Sequence, residues 1–336
     1  MLTEQRAEAA PREPATPTVD RRLLRRQRRS RWDLKVSPYL YVSPFFVLFG
    51  IVGLYPLVYT VFLSVHDWDR LYYRRGGFNG WANYDFVLHD PVFQKALVNT
   101  FSIFLMSSVP QIVLAVVIAA LLDGQLRGRT FWRMSVLLPF AVVPAAAVLI
   151  FGSLLADRSG LVNQVLAQIG DWPVLHQLGI GPVAWHDHRW WSHFAIAGMV
   201  NWRWTGYNAL IFLAAMQAVP RDLYESAALD GGGKIRQFWS VTLPMIRPTM
   251  VFVIVTSTIG GLQIFTEPRL FDDTPNREGG ADHEFMTSTL YIYVKGIEDQ
   301  FYGRASAAAV ILFVIIVAIA LLNFGLTRFL TRRAEK

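Results

Sequence analysis

The sequence contains no cysteine and little charge, and both deficits narrow the classes of protein it can be. Without a thiol, the chain of 336 residues has no disulfide framework, no thiolate metal site and no cysteine nucleophile. Charged residues make up only 17% of the chain, whereas apolar residues make up 53%. This composition is too apolar for an ordinary soluble domain of that length, so it predicts a membrane protein in contact with a lipid bilayer.

The excess of positive charge is concentrated in one terminal segment. The net charge is +7, and ten of the 32 basic residues lie within the first 36 positions, directly before a long apolar run. The run exceeds a signal-peptide core and no small-x-small cleavage site follows it, so residues 1–36 are expected to be a retained cytoplasmic tail that contacts anionic lipid. The tail has no interleaved aromatic residues and no basic domain beside it, which argues against binding of nucleic acid.

Six apolar stretches have the length of about 20 residues that a helix needs to cross the hydrocarbon layer. They lie near 39–65, 99–122, 131–156, 193–216, 249–266 and 304–327. We therefore predict an all-α polytopic membrane protein, with six transmembrane helices in a domain over residues 37–330 and a cytoplasmic tail over 331–336. Prolines inside several stretches predict kinks, which bundled membrane helices can accommodate.

The basic residues also indicate the side of the membrane on which each connecting segment lies. With the amino terminus inside, the inner segments hold 21 of the 32 basic residues and the outer segments hold ten. Because positive charge is enriched on the cytoplasmic side, both termini are expected to be cytoplasmic. His186, Asp187 and His188 then fall in an outer loop, where two imidazoles without a clear third ligand indicate solvated polarity rather than a metal site.

The most informative segment is the inner loop over residues 220–247, between the fourth and fifth stretches. Asp222 and Glu225 favour the start of a helix, and three glycines from Gly231 onward favour its end. A second helix is expected from Lys234 until the chain approaches a proline. The inner side therefore presents two short helices joined by a glycine hinge.

Each of these two helices carries an apolar face. In the second helix Ile235, Phe238, Trp239 and Thr242 recur at i, i+3, i+4 and i+7, and Leu223 pairs with Ala227 in the first. An amphipathic pair that is joined by short links to two spans is shaped to insert into a groove of a soluble partner. The alternative is a helix pair that rests on the lipid surface.

The loop resembles the coupling loop of permease subunits in binding-protein-dependent ATP-binding cassette (ABC) importers. The resemblance is carried by Glu225-Ser226-Ala227, Asp230-Gly231 and Leu243-Pro244 at this spacing, with departures at Ser226 and Gly232, where the family usually has alanine. Further segments resemble the carbohydrate branch of the family, namely 78–84, 90–100, 138–139 and 301–307, whereas 271–285 fits only partly. The likeness extends over about residues 40–330.

The resemblance implies the type I ABC importer permease fold and a set of partners. By family likeness the loop docks into a cleft of the ATPase, with Glu225 facing a basic residue there and Gly231 permitting the turn. The residues expected to couple the two subunits are Glu225, Ala227, Asp230, Gly231, Phe238, Leu243 and Pro244. The implied partners are a second homologous permease, two ATP-binding subunits that use ATP and Mg, an extracytoplasmic solute-binding protein and a carbohydrate.

This chain itself is expected to bind neither ATP nor another cofactor, and to have no catalytic residue. No Gly-x4-Gly-Lys-Ser/Thr loop is present, since Gly231-Gly-Gly-Lys234 is followed by Ile235 instead of a hydroxyl residue and lies between helices rather than after a strand. ATP hydrolysis is therefore assigned to a separate subunit.

The fourth stretch contains an arginine, Arg203, about ten residues from its start and roughly 15 Å deep at 1.5 Å per residue. A charge there costs about 2.5–3.5 kcal/mol. Aromatic and polar neighbours suit a sugar, whose ring face stacks while its hydroxyls form hydrogen bonds. Because such groups of the fourth and fifth spans line the path in related permeases, the resemblance predicts substrate contact for Trp202, Arg203, Tyr207, Asn208 and Gln263.

Alternatives remain open for these residues and for the whole chain. Arg203 could pair only with Glu267 or with helix-end carbonyls, while Trp202 and Trp204 pack against a partner permease. A stand-alone secondary transporter would need internal repeats and paired carboxylates within spans, which are not apparent. A membrane enzyme would need more than the adjacent Asp272 and Asp273. A polyol or glycerol phosphate is the alternative substrate to a sugar or oligosaccharide.

Overall fold

The computed structural model describes residues 21–69, 74–124, 127–170 and 181–334. Within these ranges the chain is mainly helical, and its contacts divide it into two units, Met1–Tyr59 and Thr60–Lys336. Residues 1–20 of the predicted basic tail and residues 335–336 of the predicted carboxyl-terminal tail lie outside the described residues.

The described residues of the first unit form a long helix that is interrupted once. Helix α1 covers Arg21–Phe49, and a single π-helical turn at Gly50–Leu54 leads into helix α2, Tyr55–Ser64, which crosses the boundary to the second unit. The amide of Tyr55 bonds to the carbonyl of Gly50, five residues back. Because the next residue is a proline and has no N–H to donate, the wider turn falls where the regular ladder would lose a bond.

The second unit continues with a hairpin and a short helix before its first long helix. Strand β1, His66–Asp69, pairs antiparallel with strand β2, Arg74–Phe78, and helix α3 covers Ala82–His89. The long helices α4, Pro91–Asp123, and α5, Arg129–Ala141, come next, followed by α6, Pro144–Leu154, and α7, Leu161–Gly170. Helices α5 and α6 meet at a bend of 91° in the predicted third span, and α6 begins at Pro144, directly after the bend.

The carboxyl-terminal half contains the remaining helices. They are α8, Arg189–Gln217; α9, Arg221–Leu229; α10, Lys234–Gln237, with a π-turn at Phe238–Thr242; α11, Leu243–Met245; α12, Arg247–Gly261; α13, Thr266–Phe271; α14, Ser288–Tyr293, with a π-turn at Val294–Glu298; and α15, Tyr302–Ala334.

By length and apolar composition, three helices of the described residues qualify as membrane spans, or up to five if each bent pair is one span. The three are Leu34–Ser64, Pro91–Asp123 and Tyr302–Gly325. The count of six is not confirmed by these criteria. The predicted fourth span is a continuous helix of 29 residues, α8, long enough to cross a bilayer, but its polar residues lower its hydropathy.

The centre of the second unit is the contact between helices α4 and α8. Ala115 and Ala119 of α4 and Ala209 of α8 are fully buried beside Phe212, and these small side chains let the two helices approach closely. Helix α5 crosses α8 at Gly206, where an added Cβ would lie 1.7 Å from the carbonyl oxygen of Val136. Helices α4 and α5 therefore pack tightly against the segment of α8 that holds the predicted path residues.

Candidate functional site

The predicted pair of helices in the inner loop is present. Helix α9 ends in a Schellman motif, in which the amide of Gly232 donates to the carbonyl of Ala227 at 2.8 Å and that of Gly231 to Ala228 at 3.0 Å. Gly231 has φ +76°, a left-handed conformation that favours glycine. Of the three glycines expected to make the hinge, Gly231 has this conformation, whereas Gly233 is extended and precedes α10.

The second helix of the pair runs from Lys234 to Met245 with a π-turn inside it. The amide of Leu243 bonds to the carbonyl of Phe238, and Pro244 follows, which repeats the arrangement before Pro56. The Leu243-Pro244 step therefore fixes where this helix widens before the chain turns by 68° into α12.

The predicted apolar face of the second helix is divided between two environments. Phe238 and Thr242 pack towards the bundle, and the hydroxyl of Thr242 lies 3.0 Å from that of Tyr224 in the first helix. Ile235 and Trp239, in contrast, are 78% and 63% exposed. The prediction that these four residues form one apolar face is thus wrong in this respect, because Phe238 and Thr242 are covered by tertiary contacts whereas Ile235 and Trp239 are exposed.

The seven predicted coupling residues divide in the same way. Glu225 within α9 and Asp230 and Gly231 at the hinge are exposed, whereas Ala227, Phe238, Leu243 and Pro244 are partly buried. Glu225 forms no ion pair with another described residue. The exposed surface of this loop therefore includes the unpaired carboxylate of Glu225, the turn at Gly231 and large apolar side chains such as Leu229, Ile235 and Trp239.

A cavity of about 410 Å³ lies among helices α4, α8 and α12 and the segment that follows α12. The predicted path residues that line it are Arg203, Tyr207, Asn208 and Gln263. Trp202 does not line it, since its ring packs edge-on against Phe151 with centroids 5.5 Å apart. Four of the five predicted residues are therefore brought together around one space.

Aromatic rings form one wall of this cavity. Tyr207 stacks on Phe140 with centroids 4.5 Å apart, and Trp204 meets the same ring edge-on at 5.2 Å. Both Trp204 and Tyr207 are 37% exposed, so neither ring is sealed inside the bundle. Rings held in this way offer a stacking surface for an apolar face of a ligand.

Arg203 is buried and forms both contacts that the sequence left as alternatives. One guanidinium nitrogen, Nη1, lies 3.3 Å from Oε1 of Glu267, and its Nε donates to the carbonyl of Val142 at 3.3 Å. Val142 ends helix α5 at the bend between α5 and α6. The pair therefore joins α8, the break in the third predicted span and the start of α13 while it also lines the cavity.

Sequence reasoning missed several polar residues of the cavity wall. They are Ser108 and Gln111 of α4 and Thr256 and Ser257 of α12, and the amide of Asn208 donates to the hydroxyl of Ser257 at 3.5 Å. The signal was available in the spacing, since Ser108 and Gln111 are three residues apart on one face of a predicted span. Small polar residues are also common in ordinary packing between membrane helices, so the signal is weak.

Two residues from segments that carried the family resemblance, Asn83 and Asp90, have structural roles and do not line the cavity. Asn83 donates to the carbonyls of Ser64 at 3.0 Å and His66 at 2.9 Å, which ties α3 to the hairpin. Asp90 caps α4 through the amide of Val92 at 2.9 Å and accepts the hydroxyl of Tyr291 at 2.7 Å. Burial and this hydrogen bond raise the pKa of the Tyr291 phenol.

Asp272 and His186, both in predicted outer loops, have structural partners as well. Asp272 is buried, and its carboxylate accepts the amides of Gly279 at 2.6 Å and Gly280 at 2.9 Å. The ring of His186 lies 3.2 Å from Oδ2 of Asp157 and stacks on Phe271. Among the described residues, no three such side chains form a group that could hold a metal ion.

Comparison with known proteins assigns the chain to a family. A sequence model of the inner membrane component of binding-protein-dependent transport systems matches residues 91–336. The chain belongs to this family. It is accordingly a membrane-embedded permease subunit of a binding-protein-dependent importer, and the match favours this function over a stand-alone secondary transporter or a membrane enzyme.

Relatives of similar length support the assignment. The chain is 33% identical over 300 residues to the lactose transport system permease protein LacF of Rhizobium radiobacter, which covers 88% of this chain and 95% of the relative. It is 31% identical to the arabinooligosaccharides transport system permease protein AraP of Halalkalibacterium halodurans, over 87% and 88% of the two chains. The sn-glycerol-3-phosphate transport system permease protein UgpA of Escherichia coli is 28% identical, over 88% and 94%.

A solved structure has the same fold. A chain of the bacterial alginate ABC transporter, in complex with its alginate pentasaccharide-bound periplasmic protein, superimposes with a TM-score of 0.74 at 20% identity. The match covers 90% of this chain and 97% of the other. The predicted all-α fold of an ABC importer permease is thereby confirmed.

Proposed function

We propose that this permease subunit forms half of the path by which an ABC importer takes up a carbohydrate. The observation that carries the proposal is the cavity, because it combines aromatic rings with neutral hydrogen-bonding groups. A sugar presents an apolar ring face and a rim of hydroxyls, which such a wall can stack and bind. Relatives named for lactose and for arabinooligosaccharides support the same substrate class.

Four residues are proposed to contact the carbohydrate. Tyr207 offers a ring face, Asn208 and Gln263 offer amides, and Arg203 borders the same space. Trp202, the fifth predicted residue, faces Phe151 instead and is proposed to position helix α8 against α6. The other half of the path is expected from a second, homologous permease.

The exposed helix pair is proposed to transmit force from a separate ATPase. The free carboxylate of Glu225 can face a basic residue of the partner, while Ile235 and Trp239 offer apolar area to a groove. One chain supplies one such pair, so two permeases would engage two ATP-binding subunits that use ATP and Mg. In this scheme both termini and the pair are cytoplasmic, and a solute-binding protein delivers the sugar from the opposite side.

Uptake into proteoliposomes tests the proposal. This chain would be co-purified with a partner permease and ATPase encoded beside it, reconstituted, and supplied with the solute-binding protein, ATP and radiolabelled sugar. We expect uptake that needs every component, and Tyr207→Ala and Asn208→Ala should each reduce it at least tenfold. Phe194→Ala is the matched control, since Phe194 lies on the same helix, is exposed and does not line the cavity.

Two outcomes would contradict the proposal. Equal uptake by both cavity variants and the control would remove Tyr207 and Asn208 from the path. Transport by this chain alone, without ATP or an ATPase, would instead identify a secondary transporter.

A further inference from the structure

The charge of the cavity wall is balanced within the wall itself. Among the described residues that line the cavity, Arg203 and Glu267 carry the only full charges, and their side chains lie 3.3 Å apart. Both residues are only 7% exposed. The remaining polar groups of the wall are neutral amides and hydroxyls, so the site as a whole has no net charge for a substrate to neutralise.

The geometry keeps the arginine charge at the wall and leaves little of it for a ligand. The guanidinium is engaged by the Glu267 carboxylate through Nη1 and by the Val142 carbonyl through Nε. In a buried site of low effective dielectric constant, a charge without such a partner would act strongly on any ligand. Glu267 therefore decides whether the cavity is neutral or positive.

We infer that Glu267 is a specificity-determining residue that makes this cavity select uncharged carbohydrates over acidic ones, an inference that rests on the proposed function. An anionic sugar that enters the neutral cavity loses its hydration and gains no opposite charge, and it meets the Glu267 carboxylate as a like charge. An uncharged sugar loses only hydrogen bonds to water, which amides such as Asn208 and Gln263 can replace. The site thus excludes uronates, aldonates and sugar phosphates by charge.

The test compares two ligands that differ only in charge. The complex of both permeases and the ATPase is placed in lipid nanodiscs without the solute-binding protein, so that the receptor's own specificity does not contribute. Equilibrium dialysis then measures the dissociation constants of a radiolabelled disaccharide alditol, which is neutral, and of the corresponding monoanionic aldonate, which has the same open-chain end with a carboxylate in place of the terminal CH2OH. The readout is the ratio of the two dissociation constants. A uniform loss of structure would weaken the binding of both ligands and would not shift this ratio in favour of the anion.

Removal of the carboxylate should shift the preference towards the anionic ligand. Glu267→Gln leaves Arg203 uncompensated, and a unit charge about 8 Å away at an effective dielectric constant near 20 predicts a shift towards the aldonate of roughly tenfold to thirtyfold. The double variant Arg203→Gln/Glu267→Gln is neutral again and should return to the preference of the original chain. Glu298→Gln, which removes a carboxylate from an ion pair with Arg269 outside the cavity, should not alter the ratio.

Arg203→Gln provides an independent arm if Glu267→Gln fails to assemble. It leaves Glu267 unpaired in the cavity and should weaken aldonate binding at least tenfold further relative to the neutral sugar. An unchanged ratio in the assembled single variants would overturn the inference and leave the ion pair a structural one. If the unaltered complex binds neither ligand, it is the proposed function that fails, which separates the two failures.

Discussion

The contact between helices α5 and α8 provides the sharpest test of how the bundle is packed. At Gly206 an added Cβ would lie 1.7 Å from the carbonyl oxygen of Val136, a backbone atom that cannot rotate away. Gly206→Ala therefore forces the two helices apart by more than an ångström. Overpacking of this kind costs about 1–3 kcal/mol, and the backbone contact puts the expected loss near the upper end.

The consequence should reach the cavity, because Tyr207 stacks on Phe140 directly beside this contact. We expect the thermal midpoint of the purified transporter to fall by roughly 5 °C or more, and uptake to fall with it. Gly198→Ala on the same helix is the matched control, since no atom lies within 4 Å of its added Cβ. Its midpoint should be unchanged or slightly higher because alanine favours helix. Equal midpoints for the two variants would refute the close crossing.

Three further predictions concern other parts of the molecule. Asp90→Ala removes a helix cap and strands the Tyr291 hydroxyl, so it should destabilise the transporter by about 2–3 kcal/mol in thermal unfolding, against about 1 kcal/mol for Tyr291→Phe. Because the folded protein raises the pKa of Tyr291, the contribution of this residue to the free energy of unfolding is complete below pH ~10 and declines as the pH rises further. A pH series of thermal unfolding should show a shallower decline in stability for Tyr291→Phe than for the original chain. Identical slopes would contradict this. Trp239→Ser should change stability by less than about 0.5 kcal/mol yet reduce co-purification of the ATPase, and undiminished recovery would exclude the side chain from that interface.

The sequence predicted the inner helix pair well because its signals are local. Acidic residues at a helix start and a glycine at its end act within one turn of the chain, and Gly231 adopts the left-handed conformation that its position suggested. The separation of Phe238 from Trp239 could not be read in the same way. It depends on packing against the bundle and on the hydrogen bond between Thr242 and Tyr224, and neither contact lies within a single turn of the helix.

Residues of the cavity could be predicted from the sequence only where a side chain, such as that of Arg203, costs free energy inside a membrane. Arg203 stands out by its charge alone, and its two possible partners both proved to be real contacts. Ser108 and Gln111 give no comparable signal, because small and polar side chains also serve helix packing. The polar character of α8 had a second effect, since the same residues that line the cavity lower the hydropathy by which spans are counted.

We propose that the exposed pair of helices around Glu225 meets an ATPase on the cytoplasmic side. The chain has no cysteine, so Glu225→Cys introduces a single thiol into it, with no background labelling of this subunit. Crosslinking in intact vesicles should join position 225 to the ATPase, while an impermeant reagent added outside labels an Asp187→Cys control and leaves position 225 unmodified. Labelling of position 225 from outside, with no crosslink to the ATPase, would contradict the claim.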